Sequence, residues 1–498
     1  MNVNPITRLD YPDPDVIRVE DTYYMVSTTM HFMPGCEILQ SFDLVHWEHV
    51  TYVYETLDHT DAQQLKSGQN IYGQGMWAAS LRYHEGRFYI CFVANDTRKT
   101  YLYTSEKIDG PWKKQLIEGF YHDGSLLFDE DGRNYIVYGN DEIWITELNE
   151  DLTAPKKDGL HRLLVSDHKN PELGYEGSHI QKINGYYYIF LIHSLRDRWM
   201  RTEACFYSDS LEGEFTGGDV LCDDRGYCGQ GVAQGGIVDT PDGKWYAMLF
   251  QDSGAVGRIP ILLPVTWKDH FPFFGQNGHV PEEIEVHSTR PGYIYQPLVG
   301  SDDFCNGLLP RWQFNHDPDP RYYHLDALQG TYTITTREVC TELTQAVNTL
   351  TQRMSYPSCA AEVTVDASAL KEGDVAGLCA LQSCYAAVGI TKHHGKYEVL
   401  MLDKKEDGIL DMTEGTVVES HQMDFRLEAD FCNMKDEARC YYRVNKGDWL
   451  PIGTVHKLYF KLDHFTGCRF GLFCYAAEST GGSACFRDFK YYDVDEIS

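Results

Sequence analysis

The sequence predicts an all-β chain, a five-bladed β-propeller over residues 1–297 followed by a β-sandwich over residues 298–498. Three observations lead there. A short phrase, Gly or Asp followed three residues later by Tyr in an apolar run, occurs five times, at Tyr24, Tyr89, Tyr135, Tyr188 and Tyr246. The tyrosines are 65, 46, 53 and 58 residues apart, the spacing of four-stranded blades that cannot bury their faces alone and that carry loops of unequal length. After Trp267 the phrase stops, a Pro- and Gly-rich stretch runs from Lys268 to Pro297, and short strand-like runs resume at Ser301, as in a sandwich.

Within each repeat the elements follow from turn chemistry. Counting back 11 residues from Tyr24 reaches Asp13, and counting back 12 from the other four reaches Trp77, Asp123, Glu176 and Gln234. Between them lie hairpin turns such as Asp129-Glu130-Asp131-Gly132, Ile183-Asn184-Gly185 and Thr240-Pro241-Asp242-Gly243. The counted-back residues therefore open strand one of each blade, and the tyrosine lies on strand two. Innermost strands line the propeller axis, so these five residues converge on one ring, and three are carboxylic acids. Pleating places Asp15 on the same face as Asp13, and Asp10 is a third candidate for that place. In the sandwich, strands are expected over Cys359–Val365, Ala387–Thr391, Lys396–Leu402 and Arg439–Val444, with Arg469–Phe473 and Phe486–Tyr491 as core strands of the two sheets.

Composition narrows the function. A net charge of −31 disfavours nucleic acid and anionic membranes, both of which need a basic face, and is indifferent to a neutral sugar. The chain starts without a charged segment followed by an apolar one and holds no run of membrane-spanning length, which predicts a cytoplasmic protein. Fifteen cysteines, an odd number without Cys-x-x-Cys pairs, read as reduced and mostly buried thiols.

Paired carboxylates with an aromatic wall are the minimum equipment for glycoside hydrolysis, in which one acid protonates the leaving oxygen and one base activates water. A third carboxylate nearby raises the acid's proton affinity. Trp77 and Phe32 suit the apolar faces of a sugar ring.

The motifs Asn4-Pro5-Ile6, Tyr11-Pro12-Asp13-Pro14-Asp15 through Thr29, Ser41-Phe42-Asp43 through Trp47, Asp123-Gly124-Ser125-Leu126, Glu176-Gly177-Ser178-His179 and Gly257-Arg258, in this order and at blade spacing, resemble glycoside hydrolase family 43. The Asp302-Asp303-Phe304 opening and Phe465-Thr466-Gly467 resemble the concanavalin A-like domain of its β-xylosidase branch.

The resemblance implies an inverting exo-glycosidase that removes terminal β-D-xylosyl or α-L-arabinofuranosyl residues from short plant-cell-wall oligosaccharides. Asp13 would be the general base, Glu176 the general acid and Asp123 the carboxylate that tunes the acid. Arg258, Trp77, Phe32, Gln234 and Phe465 would contact substrate. No cofactor would be required, although some relatives hold a metal on the axis with a His where this chain has Gln234. That leaves Ca²⁺ or water there and the metal question open. A second departure is Trp77-Ala78-Ala79, where Trp-Ala-Pro is common. Homo-oligomers occur in the family. The alternatives are a carbohydrate-binding propeller without catalysis, an arabinan-directed arabinofuranosidase, and a fructan-acting five-bladed enzyme.

Overall fold

The computed structural model describes residues 2–413 and 415–493, so the two expected outer limits of the chain, 1 and 498, lie outside the described residues. Five four-stranded antiparallel sheets follow one another along the chain. Blade I comprises Asp15–Val19, Thr22–Val26, Gly35–Ser41 and Glu48–Tyr54; blade II, Met76–His84, Arg87–Ala94, Lys99–Ser105 and Lys113–Ile117. Blade III comprises Ser125–Phe128, Asn134–Asn140, Glu142–Leu148 and His161–Ser166; blade IV, Glu176–Ile183, Tyr186–Ser194, Arg201–Ser208 and Thr216–Leu221. Blade V is Val232–Asp239, Trp245–Asp252, Arg258–Lys268 and Phe271–Phe274.

The five tyrosines occupy equivalent places on strand two. Tyr24 faces Ile17, Tyr89 faces Arg82, Tyr135 faces Leu127, Tyr188 faces Gln181 and Tyr246 faces Val238 across the first hairpin. Each neighbouring pair of blades buries a shared apolar cluster, for example Ile38 with Leu81 between I and II, and Tyr135 with Ile189 between III and IV. The circle closes through Tyr23 and Leu39 against Tyr246 and Leu262. Asn4 locks that closure: its amide donates to the Leu262 carbonyl at 2.8 Å and accepts from the Leu262 N–H at 3.0 Å.

The second region is a sandwich. One sheet runs Leu410–Met412, Lys396–Lys404, Ala386–His393, Asp374–Leu381, Arg469–Ala476, Leu350–Arg353, Gln313–Asn315. The other runs Tyr323–Asp326, Thr331–Thr335, Ser483–Asp493, Ser358–Asp366, Gln422–Asp430, Glu437–Val444, Leu450–Lys457. The expected core strands Arg469–Phe473 and Phe486–Tyr491 thus lie inside opposite sheets. The fifteen cysteines are free and ten are buried, seven of them in strands, as small apolar side chains.

The two regions interlock. Phe32–Met33, from the propeller, adds to the edge of the first sandwich sheet beside Gln313–Asn315. Arg353 of the sandwich pairs with Glu37 of blade I at 2.8 Å and donates to the Asp10 carbonyl at 2.9 Å. Both charges are buried; burial alone would raise Glu37, but Arg353 and His49 hold its carboxyl down at about 2. Removing one partner of such a pair strands a charge in the seam.

Candidate active site

The ring residues owe their orientation to local breaks in strand one. Asp13, Asp123 and Gln234 have φ of 53°, 48° and 60°, in the left-handed region where backbone strain is tolerated mainly at functional positions. Trp77, Glu176 and Gln234 sit at bulges, where the register shifts between Trp77 and Ser80, Glu176 and His179, and Ala233 and Gly236, and a bulge re-aims the side chain beside it. Gly177, with φ of 63°, suits glycine, and a Cβ there would lie 2.7 Å from Cδ of Gln234 and push that side chain out of the ring.

These breaks bring the three acids together. Asp13 accepts from Thr28 Oγ1 at 2.5 Å and from Arg258 Nη1 at 3.0 Å. Asp123 accepts from the Gly177 N–H at 3.1 Å, which ties blade III to blade IV, and Ser178 Oγ holds the Asp123 carbonyl at 2.7 Å. Glu176 accepts at Oε2 from Asn140 Nδ2 at 2.8 Å. His122 Nε2 stands 3.5 Å from Asp123 Oδ2 and 3.4 Å from Glu176 Oε2.

The electrostatics follow from burial and charge. Burial pushes the Asp123 carboxyl up to about 6; the His122 charge opposes this, while Glu176 and Asp13 reinforce it. Burial disfavours a charged His122, but Asp123, Glu176 and Asp13 outweigh it and lift the imidazole to about 9.

The sandwich completes the wall. The Phe465 ring lies 5.5 Å from Trp77 and 4.2 Å from the Arg258 guanidinium carbon. Asp10 fixes this meeting: its carboxylate accepts from the Arg258 N–H at 2.7 Å and from the Gly467 N–H at 2.8 Å. Asp10 is therefore a clamp between the regions. Asp15 is fully buried on the axis below, held by Arg82 at 2.8 Å, His179 at 3.1 Å and the Leu81 N–H at 2.7 Å. Asp13, alone of the three aspartates weighed for this place, pairs with the Arg258 side chain in the ring.

Phe32 does not belong to this wall. Its strand pairing with Asn315 draws it into the seam, where the Arg469 guanidinium covers its ring at 3.4 Å and only 2% of the residue is exposed. Gln234 is in the ring; its N–H donates to the buried Glu203 carboxylate at 2.7 Å.

The site is blind-ended. Arg82 reaches across the axis to Asp15 of blade I, to Ser125 Oγ at 2.6 Å and the Leu126 carbonyl at 2.8 Å in blade III, and to the Ile180 carbonyl at 3.1 Å in blade IV. Under the acids, Asp13, Ala78, Ala79, Asp123, Gly177 and His179 enclose only about 10 Å³, space for one water at most. A wider cavity of about 410 Å³ opens at the far end, past Arg82, and none of the five ring residues lines it.

An axial Ca²⁺ fits these residues poorly. The guanidinium of Arg82 already supplies a cation on the axis, and Gln234 offers no imidazole. Among the described residues the one three-donor group is His122, Asp123 and Glu176, one imidazole and two carboxylates, against the six to eight oxygens Ca²⁺ takes.

Sequence reasoning missed His122, Asn140 and Thr28. His122 is the residue before a ring acid, and a count that lands on one position skips its neighbour. Thr28 and Asn140 follow their blade tyrosines by four and five residues. Strand two of a hairpin runs back toward the ring, so a count of four or five residues forward from the tyrosine reaches them.

Asp123→Asn is expected to lose most turnover while keeping or raising the melting temperature at pH 7–8. A carboxyl whose folded value lies at about 6, above the ordinary 3.8, favours folding while protonated and loses that advantage as pH rises through 6. Above 6 the ionised group costs the fold stability that Asn escapes, and this offsets the counter-charge His122 loses. The gain should shrink as pH falls from 6 toward 4; thermal melts across that range check it, and a melting temperature several degrees lower at pH 8 would contradict it.

Comparison with known proteins gives two adjoining matches. The family model described as glycosyl hydrolases family 43 matches residues 3–272, and the beta xylosidase C-terminal concanavalin A-like domain matches residues 301–492. A protein of Formosa agariphila named beta-xylosidase is 26% identical, over 99% of this chain and 89% of its own. The structure of a bifunctional GH43-CE protein of Bacteroides eggerthii superposes with a TM-score of 0.93 at 42% identity over 99% of this chain, which spans 64% of that longer chain. An engineered GH43 glycoside hydrolase described as displaying both endo-xylanase and exo-arabinofuranosidase activity has a TM-score of 0.86 at 27% identity, over 99% of both chains.

Proposed function

Because the chain belongs to glycosyl hydrolases family 43, we propose that it removes single β-D-xylosyl residues from the ends of short xylo-oligosaccharides, with α-L-arabinofuranosyl ends as a second substrate class. It is an inverting glycoside hydrolase with a propeller and a concanavalin A-like sandwich. In the proposed mechanism Asp13 takes a proton from water, whose oxygen attacks the anomeric carbon. Glu176 gives its proton to the departing glycosidic oxygen on the opposite side, and one bond forms as the other breaks. Asp123, beside Glu176 and tied to the Gly177 N–H that follows it, holds the strand that presents the acid. Asp13 and Glu176 stand on the non-adjacent blades I and IV, which suits the wide separation that inversion requires, whereas Asp123 and Glu176 are neighbours.

The observation that carries the exo-acting reading is the blind end. Arg82 closes the axis below the acids, and Phe465 and Trp77 meet at the wall, so a chain can insert one terminal sugar and cannot thread through. A propeller that only binds carbohydrate has no use for a buried base held by Arg258 beside a second and third acid.

Assay of 4-nitrophenyl β-D-xyloside, 4-nitrophenyl α-L-arabinofuranoside and xylobiose tests this, with NMR following the first-formed anomer. Xyloside hydrolysis should release α-xylose before mutarotation, and EDTA should change the rate by less than about twofold, given the oxygen-poor donor set. Release of β-xylose first, or cleavage of the arabinofuranoside alone, would overturn the reading.

A further inference from the structure

The two oxygens of Glu176 are not equivalent. Oε2 receives the Asn140 amide at 2.8 Å and faces His122 Nε2 at 3.4 Å, while Oε1 makes no hydrogen bond among the described residues. A proton on Oε2 would point at two N–H donors; on Oε1 it meets none. A carboxylic acid so placed carries its proton on the free oxygen, the one available to a leaving group.

Charge tells the same story. Arg258 is paired with Asp13; His122 stands between Asp123 and Glu176 and is the remaining cation of the cluster. With Glu176 protonated, two anions face two cations. When the proton leaves, Glu176 becomes a third anion, and the nearest positive charge is His122.

Resting on the reading of Glu176 as general acid, we propose that His122 is a positioning residue for it: with Asn140 it claims Oε2, which keeps the acidic proton on Oε1, and its charge compensates the carboxylate left when that proton departs. The groups that face the imidazole are Asp123 of blade III, Glu176 of blade IV, Asp13 of blade I and the Trp77 ring of blade II at 6.0 Å, with Arg258 beyond Asp13. Three acids against one imidazole hold it cationic to about pH 9, so the charge is present through the neutral range. Trp77, packed edge-on, fixes the ring plane.

The test compares His122→Gln, which keeps an N–H donor and drops the charge, with His122→Phe, which keeps the ring against Trp77 and drops both. Glu176→Ala serves as reference. Turnover is measured on xylobiose, whose leaving group needs a proton, and on 2,4-dinitrophenyl β-D-xyloside, whose leaving group does not. On xylobiose, His122→Gln should lose about 10-fold and His122→Phe about 100-fold, while the dinitrophenyl substrate changes by less than about threefold. The alkaline limb of kcat/KM for xylobiose should move to higher pH in both, because a carboxyl beside a cation gives up its proton more readily than one beside an amide or a phenyl ring. Equal losses on both substrates with an unmoved limb, or unchanged xylobiose turnover, would overturn the proposal and leave His122 a structural counter-charge. If Glu176→Ala shows the leaving-group dependence and the His122 variants do not, only the present proposal falls. If Glu176→Ala itself loses both substrates equally, the acid assignment falls and takes this one with it. Thermal melts of each variant establish folding, and His122→Gln, polar and near in size, carries the test should His122→Phe fail to fold.

Discussion

Glu176→Ala is expected to cut turnover of xylobiose by about 10³-fold and to leave most of the activity on 2,4-dinitrophenyl β-D-xyloside. General acid catalysis contributes roughly 10²–10⁴-fold where the leaving group needs a proton. An alkoxide is a poor leaving group and a nitrated phenolate a good one, so the loss should scale with the basicity of what departs. The substitution spares the fold: the Glu176 side chain is 22% exposed, its hydrogen bond comes from the exposed side of Asn140, and His122 keeps Asp123 as its partner. A loss of the same size on both substrates would remove Glu176 from the acid role, since neither binding nor folding distinguishes the two leaving groups in that way.

Much of this was legible in the sequence because propeller blades repeat. The hairpin turn fixes the register of strands one and two, so a count back from Tyr24, Tyr89, Tyr135, Tyr188 and Tyr246 crosses the turn and lands on the ring. That count isolates Asp13, Asp123 and Glu176 from 74 acidic residues, and all three meet in the structure. The Asp13–Asp15 ambiguity could not be resolved by pleating, because the left-handed φ at Asp13 breaks the alternation that pleating assumes and turns the two carboxylates to different partners. Phe32 went astray for a related reason. Its surroundings come from residues 313–315 and 469, nearly 300 positions or more away, and no local pattern announces that a two-residue propeller strand will pair with a sandwich. His122 and Asn140 are single residues beside repeated positions, with nothing repetitive of their own.

Asp13→Ala and Asp13→Asn are both expected to lose about 10²–10⁴-fold in kcat, on xylobiose and on the dinitrophenyl xyloside alike. The base acts on the attacking water, so an easier leaving group does not replace it, and this separates Asp13 from Glu176 in one assay. The two substitutions should part company in stability. Alanine leaves the Arg258 guanidinium, 2% exposed, without its anion, and an unpaired buried charge of this kind costs roughly 3–5 kcal/mol. Asparagine keeps the shape: its Oδ1 still accepts from Arg258, and its amide can donate to the Thr28 hydroxyl that formerly donated to Oδ2. The expected result is a drop in melting temperature for both, smaller for Asp13→Asn, which loses the charge but keeps the hydrogen bonds, than for Asp13→Ala, which loses both, with comparable inactivity in the two. Azide needs no base, so it should restore part of the turnover of the dinitrophenyl substrate by Asp13→Asn and yield a glycosyl azide of inverted configuration. Near-native turnover in the asparagine variant would move the base elsewhere in the ring, and Asp15, locked between Arg82 and His179, is poorly placed to take over.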